Sequence, residues 1–210
     1  MKTNCAIYVY KMTVDNGGAP CVKYGLLSLA ICKPMIRRNA EAESEDLIFG
    51  FAANSLDHHN RLIYVARVTE KPEVGDYYRK RRFVHRPDCI YRYVGGRAER
   101  RSHAEYHSES DQRRKDVGMR FENAYVLLSR DFRYFGDKGT DSYKRDFPAV
   151  AALVKRLKQG HRVNLSPQVR RELLELKKQI WRSCRRMKIG LPMEADRTRL
   201  CNSESPSAQC

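Results

Sequence analysis

The feature that most constrains this chain is a change in the rhythm of its apolar residues. Up to about residue 135 they come in short runs rich in β-branched and aromatic side chains. The runs are "CAIYVYKM" from position 5, "YGLLSLAI" from 24, "DLIFGFAA" from 46, "RLIYVARVTE" from 61, "DCIYRYV" from 88 and "NAYVLLSRDFRYF" from 123. Such runs, bounded by turn residues such as "DNGGAP" at 15–20, read as strands. After residue 145 the rhythm is helical. "FPAVAALVKRLKQG" is one helix, with Asp146 as N-cap, Pro148 in the first turn and Gly160 as terminator. A second starts at Ser166–Pro167, and Val169, Leu173, Leu176, Ile180, Cys184 and Met187 follow at steps of three and four. That stripe reads as core, because each large apolar side chain contributes about 1.5–3 kcal/mol when buried. Strands followed by helices predict an α+β domain with a mainly antiparallel sheet, for which barrel-like closure is one arrangement.

Finer expectations follow. In the run at 61–70, alternation puts Leu62, Tyr64, Ala66 and Val68 on one face and Ile63, Val65, Arg67 and Thr69 on the other. "KPEVGDYYRKRRF" reads as a short helix or turn. Residues 95–118 are polar and almost free of aliphatics, which predicts a mobile insertion. The chain thus divides into a domain at 1–165, a basic amphipathic helix at 166–188 that packs on it, and an unstructured tail at 189–210.

Charge narrows the partners. The 210 residues carry 41 Lys+Arg against 25 Asp+Glu, a formal charge of +16. A field of that size favours polyanions. No apolar run is long enough for a spanning helix. The apolar stretch at 6–10 is too short for the core of a secretion signal. A cytoplasmic location and no membrane partner are the expectation. Seven cysteines with no even framework of spacings read as reduced thiols. Basic residues cluster twice, twelve against five acidic from Arg79 to Lys115 and twelve against two from Lys155 to Lys188. Aromatics interleave with them, which suits contact with nucleic-acid phosphates and bases.

"AICKPMIRR" at 30–38 ends an apolar run with Cys32, Lys33, Pro34, Arg37 and Arg38. The three cations suggest an anion site. Cys32 beside them is a candidate activated thiol, although a packed thiol at a strand end is the simpler reading. His85, Cys89, His103 and His107 form H-x3-C-x13-H-x3-H, a spacing that zinc accepts, against coincidence in a polar insertion. "HAE" at 103–105 lacks the later C-x-x-C of a zinc deaminase. Walker, G-x-S-x-G and H-E-x-x-H motifs are absent. No cofactor is implied.

Taken in order, "YGLLSLAICKPMIRR", "DLIFGF", "RLIYVARVTE", "HRPDCIYRY", "VLLSRDFRYFG" and "QGHRVNLS" resemble the second family of nucleotide modification associated domains. The resemblance spans roughly residues 4 to 175. Members are small proteins frequent in phages and bacteria, inferred to belong to systems that modify bases in DNA. They tend to have glycine-aspartate before the third strand, where this chain has "SED" at 44–46. Strand order and lengths also look like the PUA-like group, with its EVE and ASCH domains. Those are small β-barrels that bind RNA or DNA with modified bases.

These likenesses imply a module that binds DNA, or a modified nucleotide, with RNA as the alternative. Lys33, Arg37 and Arg38 would hold phosphate or a base edge. Arg133 would contact an anion, Tyr134 or Phe135 would stack on a base, and His161 and Arg162 would point into the same cleft. The competing reading is a base- or nucleotide-tailoring enzyme that uses His161, Cys32, Glu70 and Asp131. A third is a factor that binds an acidic protein.

Overall fold

The computed structural model describes residues 5–107, 110–158 and 160–194. In chain order the elements are β1 (Ile7–Met12), β2 (Cys21–Lys23), β3 (Leu26–Leu29), α1 (Pro34–Asn39), β4 (Leu47–Ala52), β5 (Leu62–Arg67) and α2 (Asp76–Arg79). They continue with β6 (Tyr91–Val94), β7 (Arg97–Arg100), α3 (Ser110–Asp116), β8 (Leu127–Ser129), β9 (Asp131–Tyr134), α4 (Tyr143–Asp146), α5 (Pro148–Arg156), β10 (His161–Arg162) and α6 (Pro167–Ser183).

Five strands form the main sheet, in the order β10-β1-β4-β5-β9. Only β1 and β4 run parallel. A parallel pair needs a crossover, and residues 13–46 make it, carrying β2, β3 and α1. A second sheet, β2-β3-β8, lies over one face of the first, and β6-β7 is a separate two-stranded ribbon. Among the described residues no sheet closes into a barrel. The architecture is α+β and mostly antiparallel.

Both faces of the main sheet are covered, which is why β1, β4 and β5 are buried along almost their whole length. One face sets Ile7, Val9, Phe49, Phe51 and Val65 against Val150, Val154, Leu173, Leu176 and Ile180 of α5 and α6. The other sets Tyr8, Tyr10, Ile48 and Tyr64 against Leu27, Leu29 and Ile36 of the crossover. The expected alternation of β5 breaks at its start. Leu62 pairs with Phe51 and Tyr64 with Gly50, so Ile63 is the extra residue of a bulge, and Leu62 shares its face with Val65.

Three expectations need correcting. "NAYVLLSRDFRYF" is two strands in two sheets. The Ser129 hydroxyl accepts from the Asp131 N–H (3.2 Å) and donates to the Asp131 carbonyl (3.0 Å), fixing a bend. The N-cap of α5 is Phe147, not Asp146, and Glu172 of α6 reaches across to accept the N–H groups of Ala149 and Val150. Residues 95–118, expected as a mobile insertion, supply β7 and α3 and bury Ala98, Tyr106, His107, Asp116 and Val117. Ser108 and Glu109 lie outside the described residues.

Of the segment expected as a tail, residues 189–194 are tied into the fold, and 195–210 lie outside the described residues. Tyr134 donates its N–H to Met187 and accepts from Ile189, both at 2.8 Å. Asp137 accepts from the Leu191 N–H and Asp15 from the Met193 N–H. This returning segment covers the β9 edge, where unpaired backbone would otherwise be open to other strands.

Candidate active site

The turn from β3 into α1 holds the candidate thiol, Cys32. Cys32 and Lys33 are both left-handed, with φ of 57° and 45°. Non-glycine residues held there cost about 1–3 kcal/mol each and persist only when their surroundings impose them. Here the surroundings are Arg37 and Asp116. Arg37 is completely buried. Its Nε donates to the Cys32 carbonyl (2.6 Å), and its Nη atoms donate to the carbonyls of Tyr125 (2.6 Å) and Asp116 (3.0 Å). The carboxylate of Asp116 accepts the Cys32 N–H at 2.8 Å and lies 3.6 Å from the Arg37 guanidinium.

The second oxygen of Asp116 links the rest of the cluster. It accepts from the Tyr91 hydroxyl (2.9 Å) and from His107 Nδ1 (2.5 Å). The other ring nitrogen, Nε2, lies 3.3 Å from Cys32 Sγ. Burial opposes a charged ring, but the hydrogen bonds to Asp116 and Cys32 outweigh it and lift the His107 pKa to about 10. His107 is therefore an imidazolium at neutral pH, with one N–H aimed at the carboxylate and the other at the sulfur. Like Cys32, His107 is left-handed, at φ 50°. Three of the seven non-glycine residues with positive φ among the described residues thus meet here. Thiol, imidazole and carboxylate stand in series, the order in which catalytic triads set a nucleophile, an acid–base group and an orienting carboxylate.

Lys33, His161 and Arg162 gather on the neighbouring flank. Lys33 Nζ sits 4.9 Å from the Tyr10 ring centroid, and His161 pairs with Tyr10 across β1 and β10. The His161 ring lies 5.9 Å from that of Tyr8. Burial lowers its pKa, and the charges of Arg162 and Lys33 lower it further, so the ring is neutral at pH 7. Arg38 is exposed, over the ring of Tyr125 at 5.8 Å.

The other sequence candidates are engaged elsewhere. Arg37 holds the turn instead of meeting a ligand. Arg133 is buried, bonded to the carbonyls of Cys184 and Phe132 and stacked 4.5 Å from Trp181. Tyr134 is buried and donates to Asp15 at 2.7 Å, and Phe135 is buried beside it. Glu70 pairs with Arg82, while Asp131 takes Arg67 and the Trp181 N–H. The four metal candidates are dispersed. His85 and His103 are exposed, Cys89 is buried with its thiol toward the Tyr77 carbonyl, and His107 serves Cys32. Among the described residues no three His, Cys, Asp or Glu side chains form a metal-binding group.

A cavity of about 230 Å³ lies nearby, lined by Asn16, Pro20, Cys21, Tyr106, Tyr134 and Lys188 among others. Cys32, His107 and Asp116 do not line it, so this cavity is not where the three groups meet. Sequence reasoning picked out Cys32 but missed its partnership with His107 and Asp116. The only local hint was the apolar neighbours Tyr106 and Val117, which anchor those two residues inside a polar stretch.

Fold and cluster define an α+β protein with a thiol–imidazole–carboxylate site at the crossover between two parallel strands. The family model described as nucleotide modification associated domain 2 matches residues 4–199, and the chain belongs to that family. The match contains Cys32, His107 and Asp116 and extends past the stretch whose motifs carried the resemblance. Neither the comparison with curated proteins nor that with solved structures gives a match. Membership associates the chain with nucleotide modification. No helix among the described residues is long and apolar enough to cross a membrane.

Proposed function

We propose that the protein is an enzyme that tailors a base or nucleotide by covalent catalysis from Cys32. One observation carries this reading. His107 bridges the Cys32 sulfur and the Asp116 carboxylate, at 3.3 and 2.5 Å. An imidazolium beside a sulfur favours the thiolate, which is the nucleophilic form. The sulfur bonds to an electrophilic carbon. The electron pair displaced from that carbon goes to its oxygen or nitrogen, and the Nε2 proton of His107 neutralises that atom. Asp116 holds the ring in place and stabilises its charge. Lys33, Arg38, His161 and Arg162 supply the flank for the anionic part of the substrate.

The net charge of +16 favours a second reading, a module that only binds nucleic acid. A pure binding site has no use for a strained cysteine tied to a buried imidazolium, so the enzyme reading comes first.

Peptide-mapped alkylation with iodoacetamide tests it. Cys5, Cys32 and Cys184 are all partly exposed, so two serve as internal controls. Cys32 should react fastest at pH 6, and His107→Asn should slow it about 10²-fold or more without changing the other two. A Cys32 that reacts with the same pH profile as Cys184 would mean a packed thiol and no nucleophile. Nucleosides from base-modified DNA treated with wild type or Cys32→Ser should differ, and identical profiles would return the chain to the binding reading.

A further inference from the structure

The β6-β7 ribbon pairs with neither large sheet. On β6 only Tyr91 is buried, and Arg92, Tyr93 and Val94 face solvent. At its tip Gly95 and Gly96 have φ of 54° and 78°, and a Cβ at either would meet nothing within 4 Å. Arg97 is exposed beside them. Tyr93, 39% exposed, leans on Phe121, with the Arg79 guanidinium 5.4 Å from its ring. Among the described residues no carboxylate forms an ion pair with Arg79 or Arg97. A protruding ribbon with unneutralised guanidinium groups and a half-open aromatic ring is complementary to a strand of phosphates and bases.

The root of the ribbon is the candidate active site. Tyr91 donates its hydroxyl to Asp116, and Arg100 on β7 holds the carbonyls of Ala104 and Tyr106, immediately before His107. The tip residue Val94 is three residues along from Tyr91, about 10 Å at 3.3 Å per residue. A strand lying on the ribbon therefore leads to Cys32 within a few nucleotides.

We infer that the ribbon is a docking element for a nucleic-acid strand. The base presented to Cys32 is then part of a polynucleotide, not a free nucleotide. The inference rests on the enzyme reading above, but its test reads binding, not chemistry.

Fluorescence anisotropy with a labelled single-stranded oligonucleotide and the corresponding duplex, across a salt series, provides that test. Arg79→Glu/Arg97→Glu should weaken binding about tenfold or more and flatten the salt slope by about two contacts. Tyr93→Ala should weaken single-strand binding about tenfold, more than duplex binding. The exposed charge reversal Arg171→Glu/Lys178→Glu on α6 should change affinity less than twofold. All the altered side chains are at least partly exposed, and an unchanged thermal midpoint confirms that each variant is folded. Equal losses from ribbon and α6 variants would mean diffuse charge attraction, and ribbon variants that bind like wild type would exclude the ribbon; either outcome overturns the inference. The ribbon variants should keep the fast alkylation of Cys32 at pH 6, so failure of the chemistry and failure of the docking are read separately.

Discussion

The two faces of the main sheet hold the molecule together in different ways. Against α5 and α6 the buried groups are almost all aliphatic or phenylalanyl, and the buried Tyr143 hydroxyl is satisfied by the Asn60 carbonyl at 2.9 Å. Against the crossover the sheet presents tyrosines. Tyr10 and Tyr64 share a hydrogen bond of 2.9 Å above Gly50, where a Cβ would fall 2.3 Å from the Tyr64 ring. Beyond them lie buried Arg37, His107 and Asp116. Close-packed apolar surfaces tolerate exchange at constant volume. A buried network tolerates little, because each lost partner strands a polar group. The first face sets stability alone, while the second sets stability and the geometry of Cys32 together.

The largest effect should come from cutting that link. Arg37→Leu removes the cation and leaves three carbonyls and the Asp116 carboxylate without it. Breaking such a buried pair costs about 3–5 kcal/mol. Urea unfolding should show that loss, and Cys32 should lose its fast alkylation at pH 6. A variant with wild-type stability and reactivity would show that the turn holds itself. Leu173→Ala on the opposite face is next. Leu173 is fully buried against the sheet, so the cavity should cost about 2–5 kcal/mol. Alkylation of the folded fraction should not change. If Cys32 slowed as well, the two faces would be coupled through the sheet and the contrast would fail.

The same contrast explains what could be read from the sequence. The aliphatic face was legible because it depends on local periodicity. Of the stripe, Val169, Leu173, Leu176 and Ile180 are buried as their spacing requires, while Cys184 and the exposed Met187 lie past the helix end at Ser183; Ser166 caps the helix, accepting the Val169 N–H at 3.3 Å. The polar face was illegible because its partners are remote. Asp116 and His107 lie 84 and 75 residues from Cys32, and no periodicity connects them. Arg37 read as an anion contact beside Arg38, yet α1 turns one inward and the other outward. Polarity of 95–118 suggested mobility, although its buried histidine and aspartate are satisfied by each other and by Cys32, Arg37 and Tyr91. The break at Ser129 was hidden because it comes from one hydroxyl closing a turn within an otherwise continuous strand-like run.

The third effect is the most specific to the polar face. The His107 pKa is raised in the fold, from an ordinary 6.5 to about 10. Its charged form is thus bound more tightly in the folded protein than in the unfolded chain. That contribution is complete below about pH 6.5 and is lost as pH rises toward 10. Wild type should therefore lose stability across this window. In His107→Asn the same interval should be flatter, because the asparagine does not titrate, and the two curves should converge near pH 10. Denaturant melts at pH 6, 8 and 10 measure this directly. A wild type whose stability holds level from pH 6.5 to 10 would mean that the ring is not charged in the fold. The proton assigned to the catalytic step would then have to come from another donor. A change confined to wild type would tie the titration to the one residue that links Cys32 to Asp116. Cys32, 3.3 Å away, is one of the groups that raise the pKa of the ring. Cys32→Ser should therefore shift its midpoint without abolishing it.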